Sequence, residues 1–95
     1  MTEQKLKVYN FYTKIRNTET HKTIKQQFSI VAYNIKEAKE LFEFAAEHKT
    51  FSNYWELIEI SEIKRDFSKI KNDPYTMAHY YAMFTEFKKK AQEEE

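Results

Sequence analysis

No glycine and no cysteine occur among the 95 residues of this chain, and proline appears once. Globular chains ordinarily carry about 7% glycine. Glycine lets backbone approach a phosphate closely and reach positive φ cheaply, so its absence excludes a P-loop, a dinucleotide fingerprint and the usual glycine-lined oxyanion loops. Lys, Ile, Asn, Phe and Tyr are abundant, so compositional drift is the plainer origin of the gap; the consequence for nucleotide chemistry is the same. Without cysteine there is neither a disulfide framework nor a thiolate metal site, which fits a reducing compartment. No run approaches the roughly 20 apolar residues of a membrane helix, and Met1-Thr2-Glu3-Gln4-Lys5 does not open a secretory signal. The expectation is a cytoplasmic protein with no membrane partner. Neither sign of charge dominates: 16 basic against 15 acidic residues leave a net +1. The chain is therefore no acidic nucleic-acid mimic, and any nucleic-acid binding has to come from local clustering of cations.

What the chain does have is aromatic side chains, eight Phe and seven Tyr, within a hydrophobic share of 41%. That is enough apolar surface for one core, and residues 1–95 read as a single domain. Its organising stretch is a hairpin over 5–33. Tyr9, Phe11, Thr13 and Ile15 alternate with Val8, Asn10, Tyr12, Lys14 and Arg16. Ile24, Gln26, Phe28, Ile30 and Ala32 alternate likewise with Lys25, Gln27, Ser29, Val31 and Tyr33. Period-2 alternation of β-branched and aromatic residues marks two half-buried strands. The connecting Asn17-Thr18-Glu19-Thr20-His21-Lys22 needs one residue at positive φ. In the absence of glycine, Asn17 or His21 has to supply it.

A helix is predicted over 34–48, with Asn34 as N-cap, Glu37 completing a capping box, and Ile35, Ala38, Leu41, Phe42 and Ala45 as its apolar stripe. Residues 50–53 read as a loop and 54–64 as a third strand. There Ile58 and Ile60 mark one face and Trp55, Leu57 and Ile63 the other. Such a strand is central in a covered sheet, offers a face to a partner, or carries a bulge near Ser61. A basic connector over 65–72 follows, with Phe67 and Ile70 expected to turn inward. The last helix, 73–92, opens on Asp73 as N-cap and Pro74 at its first position. Met77, Ala78, Tyr81, Phe84 and the stem of Lys88 form its predicted inner stripe, and the helix is apolar almost all round. The order β-β-α-β-α implies an α+β domain with a three-stranded sheet in order 2-1-3, strands 2 and 3 parallel. One helix covers a sheet face; the other lies beside it or across the opposite face.

Catalytic signals are thin. Glu62-Ile63-Lys64 has the Glu-x-Lys form of a metal-dependent nuclease strand, but the acidic ligand such a site takes from an earlier strand is missing, since no Asp precedes Asp66. His21, His48 and His79 have no i, i+4 spacing and read as solvated or half-buried histidines. Ser29, Ser52, Ser61 and Ser68 lie in no nucleophile elbow. The chain reads as a non-enzyme without cofactor or metal.

Two surfaces compete as binding sites. The first is the outer hairpin face, where Tyr12, Lys14, Arg16, Lys25 and Gln27, with Lys22 at the turn, interleave a ring with cations as single-strand nucleic-acid binders do. Lys64, Arg65, Lys69 and Lys71 of the strand end and connector add to the same basic set. The plainer reading is a solvated sheet face, or one covered by the last helix. The second surface joins Trp55 and Leu57 to Tyr75, His79, Tyr80, Met83 and Phe87, a surplus of the residue types found at the centre of protein interfaces. Here the plainer reading is that a small sheet and two helices consume all of these rings.

Over its full length the chain resembles the small accessory proteins of Gram-positive phages and plasmids. Those are short, cysteine-free, rich in Lys, Glu, Tyr and Phe, and often open with a hairpin such as Val8-Tyr9-Asn10-Phe11-Tyr12-Thr13-Lys14-Ile15-Arg16-Asn17-Thr18-Glu19-Thr20 here. The resemblance rests on composition and layout and assigns no residue a role. It implies a protein that acts by occupying a surface on a host or phage protein or nucleoprotein, as anti-CRISPR inhibitors do. A small nucleic-acid-binding domain is the alternative, and a second copy of the chain is a further candidate partner.

Overall fold

The computed structural model describes residues 5–47 and 54–93. Five elements follow in order: β1 (Lys7–Asn17), β2 (Thr23–Ala32), α1 (Ile35–Glu47), β3 (Trp55–Asp66) and α2 (Pro74–Glu93). They form the expected α+β domain, with a three-stranded sheet in order β2-β1-β3. Both pairings are antiparallel, so β2 and β3 run in the same direction. The expected loop at 50–53, together with His48 and Ser52, lies outside the described residues.

The hairpin register runs from Arg16 opposite Thr23 to Lys7 opposite Ala32. The Asn17 side-chain oxygen accepts from the backbone N–H groups of Glu19 and Thr20, both at 2.9 Å, and the Asn17 N–H donates to the Lys22 carbonyl at 2.8 Å. Of the two candidates for positive φ, His21 takes it, at 60°. Asn17 instead wires the turn from inside the strand.

β3 resolves its mixed pattern with bulges. Glu62 lies opposite Tyr12 and Ile60 opposite Thr13, which leaves Ser61 as an extra residue. Glu59 lies opposite Lys14 and Leu57 opposite Ile15, which leaves Ile58 as a second one. The Ser61 hydroxyl fastens its bulge by donating to the Tyr12 carbonyl at 2.8 Å. Two insertions turn a period of two into a period of three. Leu57, Ile60 and Ile63 therefore share the first face of the sheet, and Glu56, Glu59 and Glu62 share the second.

The core lies on the first face, where Tyr9, Phe11, Ile30 and Ala32 meet Ala38, Leu41 and Phe42 of α1. The Phe11 and Phe42 rings stack at 4.7 Å, and both side chains are fully buried. Each such burial contributes about 1.5–3 kcal/mol. α1 starts as predicted: the Glu37 N–H donates to the Asn34 side-chain oxygen at 2.8 Å, and the Glu37 carboxylate reaches back to the Tyr33 N–H at 2.9 Å.

α2 lies beside α1 and runs the same way, with Tyr81 facing Tyr33 at 5.1 Å and Phe87 facing Phe44 at 5.8 Å. The Asp73 carboxylate caps it by accepting from the Thr76 N–H at 3.0 Å. Its inner stripe is Met77, Tyr81, Phe84, Thr85 and Lys88, all half-buried; Ala78, expected inside, is exposed. Tyr81 and Phe84 pack onto the first-face core, while Tyr80 and Phe84 meet Val8 and Val31 on the second face. The helix thus straddles the free edge of β2 and does not choose one sheet face. None of its described side chains is fully buried.

Candidate interaction surface

The stretch between β3 and α2 is held from below by a polar network. Asp66, the last residue of β3, accepts from the Asn10 amide at 2.9 Å and from the Lys71 ammonium at 3.2 Å through one oxygen, and from the Ser68 N–H at 2.8 Å through the other. Ser29 donates to the Asn10 side-chain oxygen at 2.8 Å and accepts from Lys71 at 3.2 Å. The Asn72 amide spans the Asp66 and Ser68 carbonyls at 2.7 and 2.8 Å. These donors, the Ser68 backbone N–H first and the Asn10 amide next, hold the Asp66 carboxyl far below the usual carboxylate range. Among the described residues no buried side-chain nitrogen or oxygen is left without a partner.

This wiring decides where the connector's apolar residues go. With Lys71 tied to Asp66 and Ser29, and Asn72 to the Asp66 and Ser68 carbonyls, Phe67 and Ile70, expected inward, point to solvent instead. Phe67 is 77% exposed, Ile70 85% and Tyr75, in the first turn of α2, 87%. The Arg65 guanidinium stacks between the Phe67 ring, at 4.8 Å, and the Tyr9 ring, at 5.6 Å. Behind the connector, Val8, Val31, Phe84, Tyr80, Thr76, Ser29 and Lys71 line a cavity of about 260 Å³. Its lining is mostly apolar, with Ser29, Thr76 and Lys71 among the polar members.

The residues expected to form one protein-binding face are divided. Tyr75, Tyr80 and Met83 are exposed on α2, and Phe87, further along, lies edge-on to Phe44. Trp55 and Leu57 stand at the opposite end of β3. Leu57 packs onto the core, and Trp55 is half-buried in a cleft with Glu43, Ala46 and Glu47. Sequence reasoning missed Phe67 and Ile70 as surface residues. The available signal was Asp66, Ser68, Asn72 and Asp73, four residues that hydrogen-bond backbone locally and keep a segment at the surface.

The outer hairpin face has the residues expected of it, with three more between them. Tyr12, Lys14, Arg16, Lys25 and Gln27 do share the second face, but Glu56, Glu59 and Glu62 of β3 stand alongside. Arg16 donates to Glu56 at 2.7 Å, Lys14 lies 3.8 Å from Glu59, and Lys64 lies 3.5 Å from Glu62 and over the Tyr12 ring. Lys22 and Lys25 are exposed and have no ion pair among the described residues. Arg65 pairs across to Tyr9 and so belongs to the opposite face, Lys69 sits on the connector, and Lys71 is engaged by Asp66.

Glu62 and Lys64 pair with each other, His21 is exposed in its turn, and His79 lies edge-on to Tyr80 at 5.7 Å. Among the described residues no group of His, Asp and Glu is placed to hold a metal ion, and no helix is long and apolar enough to cross a membrane. No protein-family model, no curated protein and no solved structure matches this chain.

Proposed function

We propose that this chain is a non-enzymatic binding protein that occupies a surface on another protein or nucleoprotein, docking through the connector and the outer face of α2. One observation carries the reading: Phe67, Ile70 and Tyr75 are held out to solvent by a segment whose backbone is fixed through Asp66, Asn72 and Asp73. Exposed apolar groups on a stretch already ordered lose little further entropy on association, which is what a binding epitope requires. Burying aromatic anchors of this kind supplies most of the energy of a typical interface. The likeness to phage and plasmid accessory proteins suggests the setting, an accessory or inhibitor acting on a host or phage assembly.

The test is recovery of a partner from the native host with tagged wild-type chain and with the Phe67→Ala/Ile70→Ala/Tyr75→Ala variant. All three side chains are solvated, so the variant keeps the wild-type circular dichroism and melting temperature. The expected result is a stoichiometric partner with wild type and none with the variant. A partner retained by the variant overturns the assignment of this surface, and turnover of a substrate by the purified chain overturns the non-enzymatic reading.

The alternative, a nucleic-acid-binding domain working through the hairpin face, draws support from Tyr12 and the unpaired Lys22 and Lys25. Against it stand the three glutamates, which cancel most of the positive potential there.

A further inference from the structure

Resting on that reading, we infer that the partner contributes an acidic as well as apolar protein segment, setting carboxylates against Arg65 and Lys69 and an apolar side chain among Phe67, Ile70 and Tyr75. The connector's own acids are already spent. Asp66 is committed to Asn10, Ser68 and Lys71, and Asp73 caps α2. Arg65 and Lys69 have no carboxylate within ion-pairing distance among the described residues, and Arg65 is braced by two rings. Lys14, Arg16 and Lys64, a short way along the sheet, each have a glutamate. Phe67 lies against Arg65, and Ile70 follows Lys69 in the connector, so two of the most exposed apolar tips of the described chain adjoin cations that lack counter-charges, and charge complementarity at an interface rim asks for acidic groups opposite.

Other polyanions fit less well. A nucleic-acid strand is held by rings stacking bases and a track of cations on phosphates; here Ile70 has no ring and only two cations are unengaged. An anionic bilayer recruits clusters of about four to eight cations. One guanidinium, Arg65, and one ammonium, Lys69, on the same connector as Phe67 and Ile70 match a short acidic stretch carrying one or two large apolar residues.

The experiment is selection of a random-peptide display library on the immobilised full-length chain, with Phe67→Ala/Ile70→Ala as the counter-selection. Enriched peptides are then titrated by fluorescence anisotropy at low and high salt. The expected winners combine Asp or Glu with an aromatic or aliphatic residue, bind about tenfold more weakly to Arg65→Glu/Lys69→Glu, and weaken as salt rises. Winners without an acidic excess, or indifferent to Arg65→Glu/Lys69→Glu, overturn the charge inference while leaving the docking surface in place. Failure to enrich any peptide that depends on Phe67 overturns both. Tighter Arg65-dependent binding to a single-stranded oligonucleotide, to phosphatidylserine vesicles or to a second copy of the chain replaces the acidic protein segment with that occupant and overturns the proposal.

Discussion

The Tyr81 hydroxyl donates a 3.0 Å hydrogen bond to one oxygen of Glu37, while the other oxygen of that carboxylate accepts from the Tyr33 N–H at 2.9 Å. One side chain thus closes the N-terminus of α1, ties it to the end of β2 and anchors α2. No described side chain of α2 is fully buried, so this bond adds to an attachment otherwise made by half-buried rings such as Tyr81 and Phe84. Tyr81→Phe is expected to cost about 1 kcal/mol in urea unfolding, and Glu37→Ala about 2 kcal/mol because the cap goes too. Burial first, and the Glu37 charge with its hydrogen bond second, push the Tyr81 phenol up to about 12. An unfolded tyrosine loses its proton near 10, so between those values the folded chain binds more protons than the unfolded one. The contribution is therefore complete below about pH 10 and is lost as pH rises toward about 12. Ultraviolet titration should show one tyrosine ionising after the rest, and Tyr81→Phe should abolish that late step.

Asp66 gives the opposite sign. Its folded carboxyl titrates far below the unfolded value of about 4, so its stabilisation is present above that value and fades as pH falls through it. Asp66→Asn should destabilise the chain by about 2–3 kcal/mol at neutral pH, because the Lys71 ammonium loses its counter-charge and the Ser68 and Asn10 donors lose a charged acceptor. Wild type and variant should converge in strongly acidic buffer. Hydrogen exchange at Ser68 and Asn72 should accelerate in the variant. A gap in stability that persists unchanged in acid would show that the carboxylate charge is not what holds the connector.

Much of this fold was legible because β1 and β2 keep one period throughout. Tyr9, Phe11, Phe28 and Ile30 alternate without interruption, so the face that meets α1 follows from parity; the burial of Val8 and Val31 on the other face does not, since it comes with α2 reaching round the edge of β2. β3 was harder. Leu57, Ile60 and Ile63 share a face only because Ser61 and Ile58 are bulged, and spacing of three reads equally as the start of a helical pattern. The outer face failed as a basic patch for a related reason. Its cations are local to the hairpin, but the carboxylate on Arg16 comes from Glu56, 40 positions away, and pairing partners at that range depend on register. Phe67 and Ile70 were misplaced by equating apolar with buried. Whether an apolar residue goes inside depends on how the backbone around it is tied, and here Asp66 and Asn72 hold the connector with both side chains facing water.

The turn shows how a chain without glycine obtains positive φ. His21, at 60°, sits in the left-handed region that glycine enters freely and a β-branched residue enters only with strain. His21→Gly should therefore be neutral or stabilising by up to about 1 kcal/mol, and His21→Asn close to neutral. His21→Val should cost about 1–3 kcal/mol. Thermal unfolding of the three variants checks the order. Equal stabilities would mean that the turn relaxes to another geometry when its sequence changes.

The hairpin face offers the sharpest test of how the charges are balanced. Lys14, Arg16 and Lys64 are each met by a carboxylate from β3, so wild type should show little salt-sensitive retention on single-stranded oligonucleotides at physiological ionic strength. Removing the opposing charges with Glu56→Gln/Glu59→Gln/Glu62→Gln leaves five cations on this face and its turn, Lys14, Arg16, Lys22, Lys25 and Lys64, the last over the Tyr12 ring. That variant should bind, with log affinity falling by about 0.7 per neutralised phosphate for each tenfold rise in salt. Charge reversal at Lys14, Arg16 and Lys25 should change nothing in wild type and abolish the binding gained by the variant. If wild type already binds oligonucleotides and loses that binding on charge reversal, the glutamates do not neutralise this face, and nucleic acid becomes the better account of what the protein holds.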